Sequence, residues 1–321
     1  MKAIRIHERG LPDVMYYEEI EAPLMGDDDV LIEISAIGIN FIDTYQRSGL
    51  YQVPLPFTPG SEASGTILSV GGNVSGFMEG DSVAYSGILG AYAEQSVVPA
   101  SRVVPLPSGL DTNLGAAAML QGMTAHYLSQ TTYSLSPSDT ALIHAGAGGV
   151  GLLLIQMAKS LGTKVLTTVS TMEKAKLAIE AGADEVIQYT EEDVVEKVMD
   201  LTGGAGVQVV YDSVGQQTFD NSLKCLAPRG LLVLFGQSSG MVSAKSPNDL
   251  ASGSYFLTRP RLDDHVRSRQ ELLWRAGEVF SWIQSGDLKI RIGQSYKLSE
   301  AAKAHKDLEG RKTTGKALLI P

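Results

Sequence analysis

Thr140-Ala-Leu-Ile-His-Ala-Gly-Ala-Gly-Gly-Val-Gly151 decides the fold. Ala141 to Ile143 is a short apolar run suited to a buried parallel strand. Gly146, Gly148 and Gly151 then fall in the order G-x-G-x-x-G, and the apolar stretch Leu152 to Ala158 reads as a helix ended by Gly162. Strand, glycines, helix is the context a dinucleotide pyrophosphate needs. In that reading Gly146 permits the tight turn, Gly148 lets backbone approach the phosphates and Gly151 lets helix and strand pack closely. The helix N-terminus contributes unpaired N–H groups and a positive dipole end.

Outward from this stretch, residues 140 to about 260 alternate strands and helices. Strands are expected at Ala141–Ala145, Lys164–Val169, Glu185–Tyr189, Val207–Val214, Gly230–Gly236 and Tyr255–Thr258, with helices near 149–161, 172–181, 191–201 and 216–226. That rhythm predicts an α/β doubly wound parallel sheet of Rossmann type. Residues 1 to about 123 instead carry short strands punctuated by glycine and proline: Lys2–His7, Asp29–Ser35, Thr66–Val70, Asp81–Tyr85, Ala91–Val98 and Arg102–Leu106. These suggest a β-barrel-like domain. A helix at Ala116–Leu128 leads into the second unit. A helix at about 263–285, a short one at 299–309 and the strand Lys316–Ile320 read as a tail that completes the first domain. The expected domains are 1–123 with 261–321, and 124–260.

The totals narrow the function classes. A formal net charge of −10 argues against nucleic acid or an anionic membrane as the main partner. One cysteine, Cys225, excludes an internal disulfide and a cysteine-built metal cage. Met1-Lys-Ala-Ile-Arg-Ile reads as a strand rather than a leader, and no apolar run approaches membrane-spanning length, so the cytoplasm is the expectation.

The second strand of the dinucleotide half ends Thr167-Thr-Val-Ser-Thr-Met172. NAD binders place a carboxylate at this tip, about 20 residues past the glycines. Here hydroxyls stand at Ser170 and Thr171, with Lys174 behind them. That combination suits a 2′-phosphate, which an ammonium attracts and a carboxylate repels. Lys174 as a solvated helix charge is the alternative. Glycines at the ends of the fourth and fifth strands, Gly215 and Gly236, would let a flat ring or sugar lie against backbone.

Asn40-Phe-Ile-Asp-Thr-Tyr-Gln-Arg-Ser-Gly-Leu-Tyr51, Thr58-Pro-Gly-Ser-Glu-Ala-Ser-Gly65, His144–Gly151, Val210-Tyr-Asp-Ser-Val-Gly215, Phe235-Gly-Gln-Ser-Ser-Gly240 and Thr258-Arg-Pro260 together resemble the NADPH:quinone oxidoreductases. These are the zeta-crystallin-like, zinc-free branch of the medium-chain dehydrogenase/reductase superfamily. The resemblance runs along nearly the whole chain. It implies a GroES-like catalytic domain, a Rossmann domain, an active site in the cleft between them, and a homodimer. By position, Gly148, Gly149 and Val150 would contact the pyrophosphate, and Ser170, Lys174 and Tyr189 the 2′-phosphate. Thr124, Phe235, Gly236, Phe256 and Leu257 would line the ribose and nicotinamide path, with Gly146, Ser213 and Lys316 completing the NADPH set. Asn40, Tyr45 and Tyr51 would line the quinone pocket.

The implied chemistry is direct hydride transfer from NADPH to a quinone, without flavin or metal. The protein orients two rings and excludes water. The Asn40 amide and the Tyr45 hydroxyl would donate to the developing oxyanion, Tyr51 would form an aromatic wall, and Arg259 would supply a distant charge. Asn40 as a turn residue and Tyr45 as a packed ring are the plainer readings. Zinc-dependent relatives carry a cysteine near position 40 and Gly-His-Glu near 60; this chain has Gly38-Ile-Asn40 and Gly60-Ser-Glu62. A catalytic zinc needs three protein ligands, so none is expected, and Glu62 is expected to bond an arginine or backbone. Competing functions are an enone or alkenal reductase of the same superfamily, a non-catalytic NADPH-binding protein, and a hydrolase built on the G-x-S-x-G match at Gly236–Gly240.

Overall fold

A computed structural model describes residues 1–321. The chain divides into two compact units, residues 1–123 with 266–321, and residues 124–265.

In the first unit, β1 (Lys2–Ile6) pairs antiparallel with β2 (Met15–Glu19). Then come β3 (Asp29–Gly38), α1 (Phe41–Ser48), β4 (Glu62–Val70), β5 (Ser82–Ser86), β6 (Gln95–Pro99) and β7 (Val103–Pro105). α2 (Thr112–Tyr127) carries the chain across the division. β3 turns Val30, Ile32 and Ile34 inward at every second residue, as a half-buried strand must. Its neighbours on either side are β4 and β6, both antiparallel. α1 is a helix that apolar periodicity does not announce, because it is only 8 residues long. It starts where Asp43 accepts the Asn40 N–H at 2.8 Å and stops at Gly49, whose φ of 87° is left-handed.

The second unit holds β8 (Thr140–Ile143), α3 (Gly149–Ser160), β9 (Lys164–Val169), α4 (Met172–Glu180), β10 (Glu185–Gln188), α5 (Val194–Leu201), β11 (Val207–Asp212), α6 (Phe219–Lys224), β12 (Leu226–Leu234), β13 (Phe256–Thr258) and α7 (Leu262–His265). All six strands are parallel, in the order β10-β9-β8-β11-β12-β13. The chain runs outward from β8 to one edge, returns to β11 and runs to the other edge. The switch point between β8 and β11 is where a doubly wound sheet takes its ligand. Leu142, Leu166, Ile187, Val210 and Leu232 form one buried cluster through the sheet, each side chain worth roughly 2 kcal/mol of burial.

The tail adds α8 (Arg269–Ser285), β14 (Ile292–Lys297), α9 (Ala301–Glu309) and β15 (Lys316–Ile320) to the first unit. The helix expected at about 263–285 is two helices. Ser268 interrupts it by capping α8, taking the Glu271 N–H on its hydroxyl at 3.1 Å while Glu271 accepts the Ser268 N–H at 3.1 Å. α7 stays with the second unit because His265 stacks flat on Tyr127, ring centroids 4.2 Å apart. β15 pairs antiparallel with β3, Leu318 opposite Gly38, which brings Lys316 to the start of α1. No helix is long and apolar enough to cross a membrane.

Candidate functional site

The glycine turn between β8 and α3 is built differently from the reading of its motif. The left-handed residue is Ala145, at φ 57°, not Gly146. Gly146 is needed for another reason: a Cβ there would collide with the side chain of Thr167 on β9, whose hydroxyl donates to the Ile143 carbonyl at 2.6 Å. Gly151 likewise makes room for the Ala145 carbonyl, so helix and turn pack closely. Gly148 is the N-cap of α3 and offers no side chain to its first N–H groups. Those donors, with Gly149 and Val150 in the first turn, form an anion-binding end. The cradle fits a pyrophosphate.

Two loops beside it carry the remaining nucleotide candidates. β9 ends at Val169, followed by the half-buried Ser170, and Thr171 caps α4 by accepting the Lys174 N–H at 3.3 Å. Thr190 donates to the Ser170 carbonyl at 3.1 Å and the Tyr189 N–H to the Val169 carbonyl at 3.1 Å, so the β10 end closes onto the β9 end. The residues after β10 thus lie against Ser170, and the carboxylate that follows the β9 tip, Glu173, is in the first turn of α4, bonded to Thr171. Across the switch point, Asp212 at the end of β11 organises the Ser213–Gly215 loop. Its Oδ1 accepts from the Val214 and Gly215 N–H groups at 2.8 and 2.9 Å, and its Oδ2 from Thr218 and Ser222 at 2.7 and 2.8 Å. Ser222 also meets His144 Nε2 at 3.0 Å, and Thr168 meets His144 Nδ1 at 2.9 Å. Burial holds the His144 pKa below the usual histidine value.

Gly215 and Gly236 are used within the protein rather than only toward a ligand. A Cβ on Gly236 would sit 2.5 Å from the Ser213 carbonyl oxygen, and one on Gly215 2.9 Å from that of Gly240. The two loops are knitted by the Ser239 N–H donating to the Val214 carbonyl at 2.8 Å. Phe235 follows β12, its N–H bonded to the Asp212 carbonyl at 2.9 Å. Phe256 and Leu257 lie on β13, the edge strand and three strands from β8, roughly 14 Å away at ordinary strand spacing. Arg259 donates to the Leu234 carbonyl at 3.0 Å. Thr124 is buried in α2.

The first unit holds a buried polar cluster that the sequence reading assigned otherwise. Glu62, 0% exposed, accepts from Lys316 Nζ at 2.5 Å on Oε2, from the Asn40 amide at 2.7 Å on the same oxygen, and from the Leu120 N–H at 2.5 Å on Oε1. The expected backbone bond is present, and the cation is a lysine rather than an arginine. Lys316 also donates to Asn40 Oδ1 at 2.9 Å. It was expected to contact NADPH; its ammonium is instead committed to Glu62 and Asn40. Asn40 Nδ2 donates to the Gly38 carbonyl at 3.1 Å as well as to Glu62, while Gln121 donates to Asn40 Oδ1 at 3.2 Å. Lysine only donates and a carboxylate only accepts, so the amide orientation is forced. Both amide hydrogens are spent, which corrects the expectation that Asn40 donates to an oxyanion. Tyr45 lies on α1 with its ring edge-on to Tyr51, centroids 5.4 Å apart, and with the Phe41 ring centroid at 6.2 Å.

This cluster does not fit a zinc ion. A cationic ammonium already occupies Glu62, and no three His, Cys, Asp or Glu side chains converge anywhere. The hydrolase alternative fails on geometry: residues 241–246 after Gly236–Gly240 form no helix. The buried Ser222 and His144 meet, but Asp212 bonds the serine and not the histidine.

The chain matches two family models: residues 26–108 that of the alcohol dehydrogenase GroES-like domain and residues 149–259 that of the zinc-binding dehydrogenases. It is 46% identical to a quinone oxidoreductase of Pseudomonas aeruginosa, over 100% of this chain and 99% of that one. The crystal structure of the Escherichia coli quinone oxidoreductase complexed with NADPH superposes with a TM-score of 0.98, at 44% identity and full coverage of both chains. A 2-haloacrylate reductase from a Burkholderia species is 39% identical over 98% of each chain.

Proposed function

The chain belongs to the quinone oxidoreductase family, and we infer that it reduces a quinone with NADPH. The observation that carries the reading is the end of β9, which sets the hydroxyl residues Ser170 and Thr171 where NAD binders set a carboxylate, with Lys174 in the first turn of α4. That arrangement favours a cofactor with a 2′-phosphate. Bound NADPH supplies the hydride. The chain's residues have three tasks. The α3 N-terminus holds the pyrophosphate through Gly148, Gly149 and Val150. The loops at Ser213 and Phe235–Gly236, with Thr124 and the β13 residues Phe256 and Leu257, line the path of the ribose and nicotinamide. Phe41, Tyr45 and Tyr51 present aromatic surface to a flat acceptor. With the Asn40 amide committed, the Tyr45 hydroxyl is the donor to the reduced oxygen, and solvent supplies the proton that completes the hydroquinone.

The test is NADPH oxidation with 1,4-benzoquinone, using stereospecifically deuterated NADPH. A primary isotope effect supports direct transfer; absence of quinone-dependent oxidation refutes the function. Lys174→Ala should raise the KM for NADPH roughly 10- to 100-fold and leave NADH nearly unchanged, the loss of one charge-assisted phosphate contact. Equal losses for both cofactors would remove Lys174 from the phosphate site. Similarity to the 2-haloacrylate reductase favours a second reading, reduction of an activated alkene, and the ratio of kcat/KM for benzoquinone and a haloacrylate separates the two.

The reading extends to a cytoplasmic homodimer. The support for the dimer is β13, an edge strand on which Phe256 is 61% exposed. An uncovered apolar edge invites a second copy. Light scattering should give twice the chain mass, and Phe256→Lys should shift the protein to monomer.

A further inference from the structure

Beside the Glu62 cluster runs a second buried chain of polar groups, and its direction can be worked out. Arg47, 1% exposed, bridges to Glu309 at 2.7 Å and donates from Nη1 to His305 Nδ1 at 3.1 Å. Arginine has no acceptor, so Nδ1 is the unprotonated nitrogen and Nε2 carries the hydrogen. His305 Nε2 then donates to the Tyr92 oxygen at 3.0 Å, and the Tyr92 hydroxyl donates to Asp43 Oδ2 at 3.0 Å. Every bond points the same way and ends on one carboxyl oxygen, which also accepts the Asn40 N–H that starts α1. The other oxygen, Asp43 Oδ1, is buried and has no partner. Oδ2 therefore carries the whole network, while Oδ1 can gain or lose a proton without breaking any bond in it.

We propose that Asp43 is a positioning residue for quinone reduction, binding and releasing a proton at Oδ1 and thereby setting how firmly Asn40 and α1 are held. As a carboxylate it grips the Asn40 N–H by a charge-assisted bond; as a neutral acid it grips it by an ordinary one, about half as strong. α1 carries Tyr45, and Asn40 is joined to Glu62 and Lys316, so the grip is felt at both. The charged groups facing Asp43 are Lys316 and Glu62, with Tyr92 as hydrogen-bond partner; His305, Arg47 and Glu309 lie behind Tyr92. Burial raises the Asp43 pKa to about 7, against the lowering pull of the Asn40 N–H, Tyr92 and Lys316. Burial and the neighbouring guanidinium hold His305 at about 3, so it stays neutral and the chain keeps its direction.

This rests on the reading that α1 presents the quinone-binding tyrosines, so the experiment has one arm that needs no quinone. The Asn40 backbone amide is followed by NMR across neutral pH. Its shift should titrate with a midpoint of about 7, the Asp43 value. The titration should vanish in Asp43→Asn and move upward in Tyr92→Phe, which loses a bond that favours the carboxylate. The second arm is the KM for 1,4-benzoquinone at saturating NADPH, which should fall about fivefold across the same transition as the bond becomes charge-assisted. Asp43→Asn should hold the acid-side KM at every pH, with the KM for NADPH unchanged. An Asn40 amide that does not titrate, one that titrates unchanged in Asp43→Asn, or a KM profile unchanged by that substitution would overturn the proposal. A protein with no quinone reduction at any pH would count against the functional reading, and the amide titration alone would then decide the role of Asp43.

Discussion

Two buried aspartates anchor the two units, and they are satisfied in opposite ways. Asp212 is ringed by donors that carry no charge: two backbone N–H groups and the hydroxyls of Thr218 and Ser222, divided over both oxygens. Asp43 has its donors on one oxygen only, and its surroundings include the ion pairs Lys316–Glu62 and Arg47–Glu309. The nucleotide unit thus fixes a loop with a saturated carboxylate, whereas the first unit keeps an unsaturated carboxyl next to formal charges. A saturated acceptor set rigidifies; an unpartnered oxygen leaves a site that can titrate.

The comparison can be broken most violently at Lys316. Lys316→Ala leaves Glu62 buried without its cation and should cost about 3–5 kcal/mol in chemical denaturation. The pair Glu62→Gln with Lys316→Met should recover most of that loss, because it removes both charges together. If the double variant is as unstable as the single one, the ion pair is not the source of the cost. Next in size is Asp212→Ala, which strands several buried donors and should cost about 2–4 kcal/mol. A loss well under about 1 kcal/mol in urea denaturation would show that Asp212 does not hold the loop, and would erase the contrast with Asp43.

The remaining test sharpens the contrast through pH. The folded protein holds the Asp43 proton more tightly than the unfolded chain does, about 7 against 3.8. The stability this lends is complete below the unfolded value and is lost as pH rises through the folded one. His305 works the other way: its folded value of about 3 lies under the ordinary 6.5, so its contribution is lost as pH falls from 6.5. Where the two windows overlap, each slope is at most about 1.4 kcal/mol per pH unit and they oppose each other. Urea midpoints of Asp43→Asn should therefore rise with pH through this window, and those of His305→Gln should fall. Parallel profiles in the two variants would show that these groups are not the ones titrating.

The nucleotide unit was legible because its information is local. The glycines at fixed spacing and the missing carboxylate at one strand tip lie between Thr140 and Lys174, and strands and helices alternate in register from 140 to about 260. The positive φ at Ala145 was not legible, since nothing in a motif says which residue of a turn takes the strain. The first unit hid more. α1 is too short to show a period, and the partners of Asn40 come from distant parts of the chain. A sequence shows that an asparagine amide can donate, but not that Gly38 and Glu62 already take both hydrogens. The same holds for Lys316, whose carboxylate acceptor lies 254 residues earlier in the chain.

That separation bears on how the protein is made. The second unit is one continuous segment, residues 124–265, whereas the first needs residues 266–321 to join residues 1–123. On the ribosome the N-terminal strands emerge early, yet β15 cannot dock on β3 until the nucleotide unit has been synthesised in between. During that interval Glu62 waits without its ammonium and the edge of β3 without its neighbour. The nascent first unit is thus the stretch exposed longest to wrong partners, and the segment translated in the middle is free to fold first.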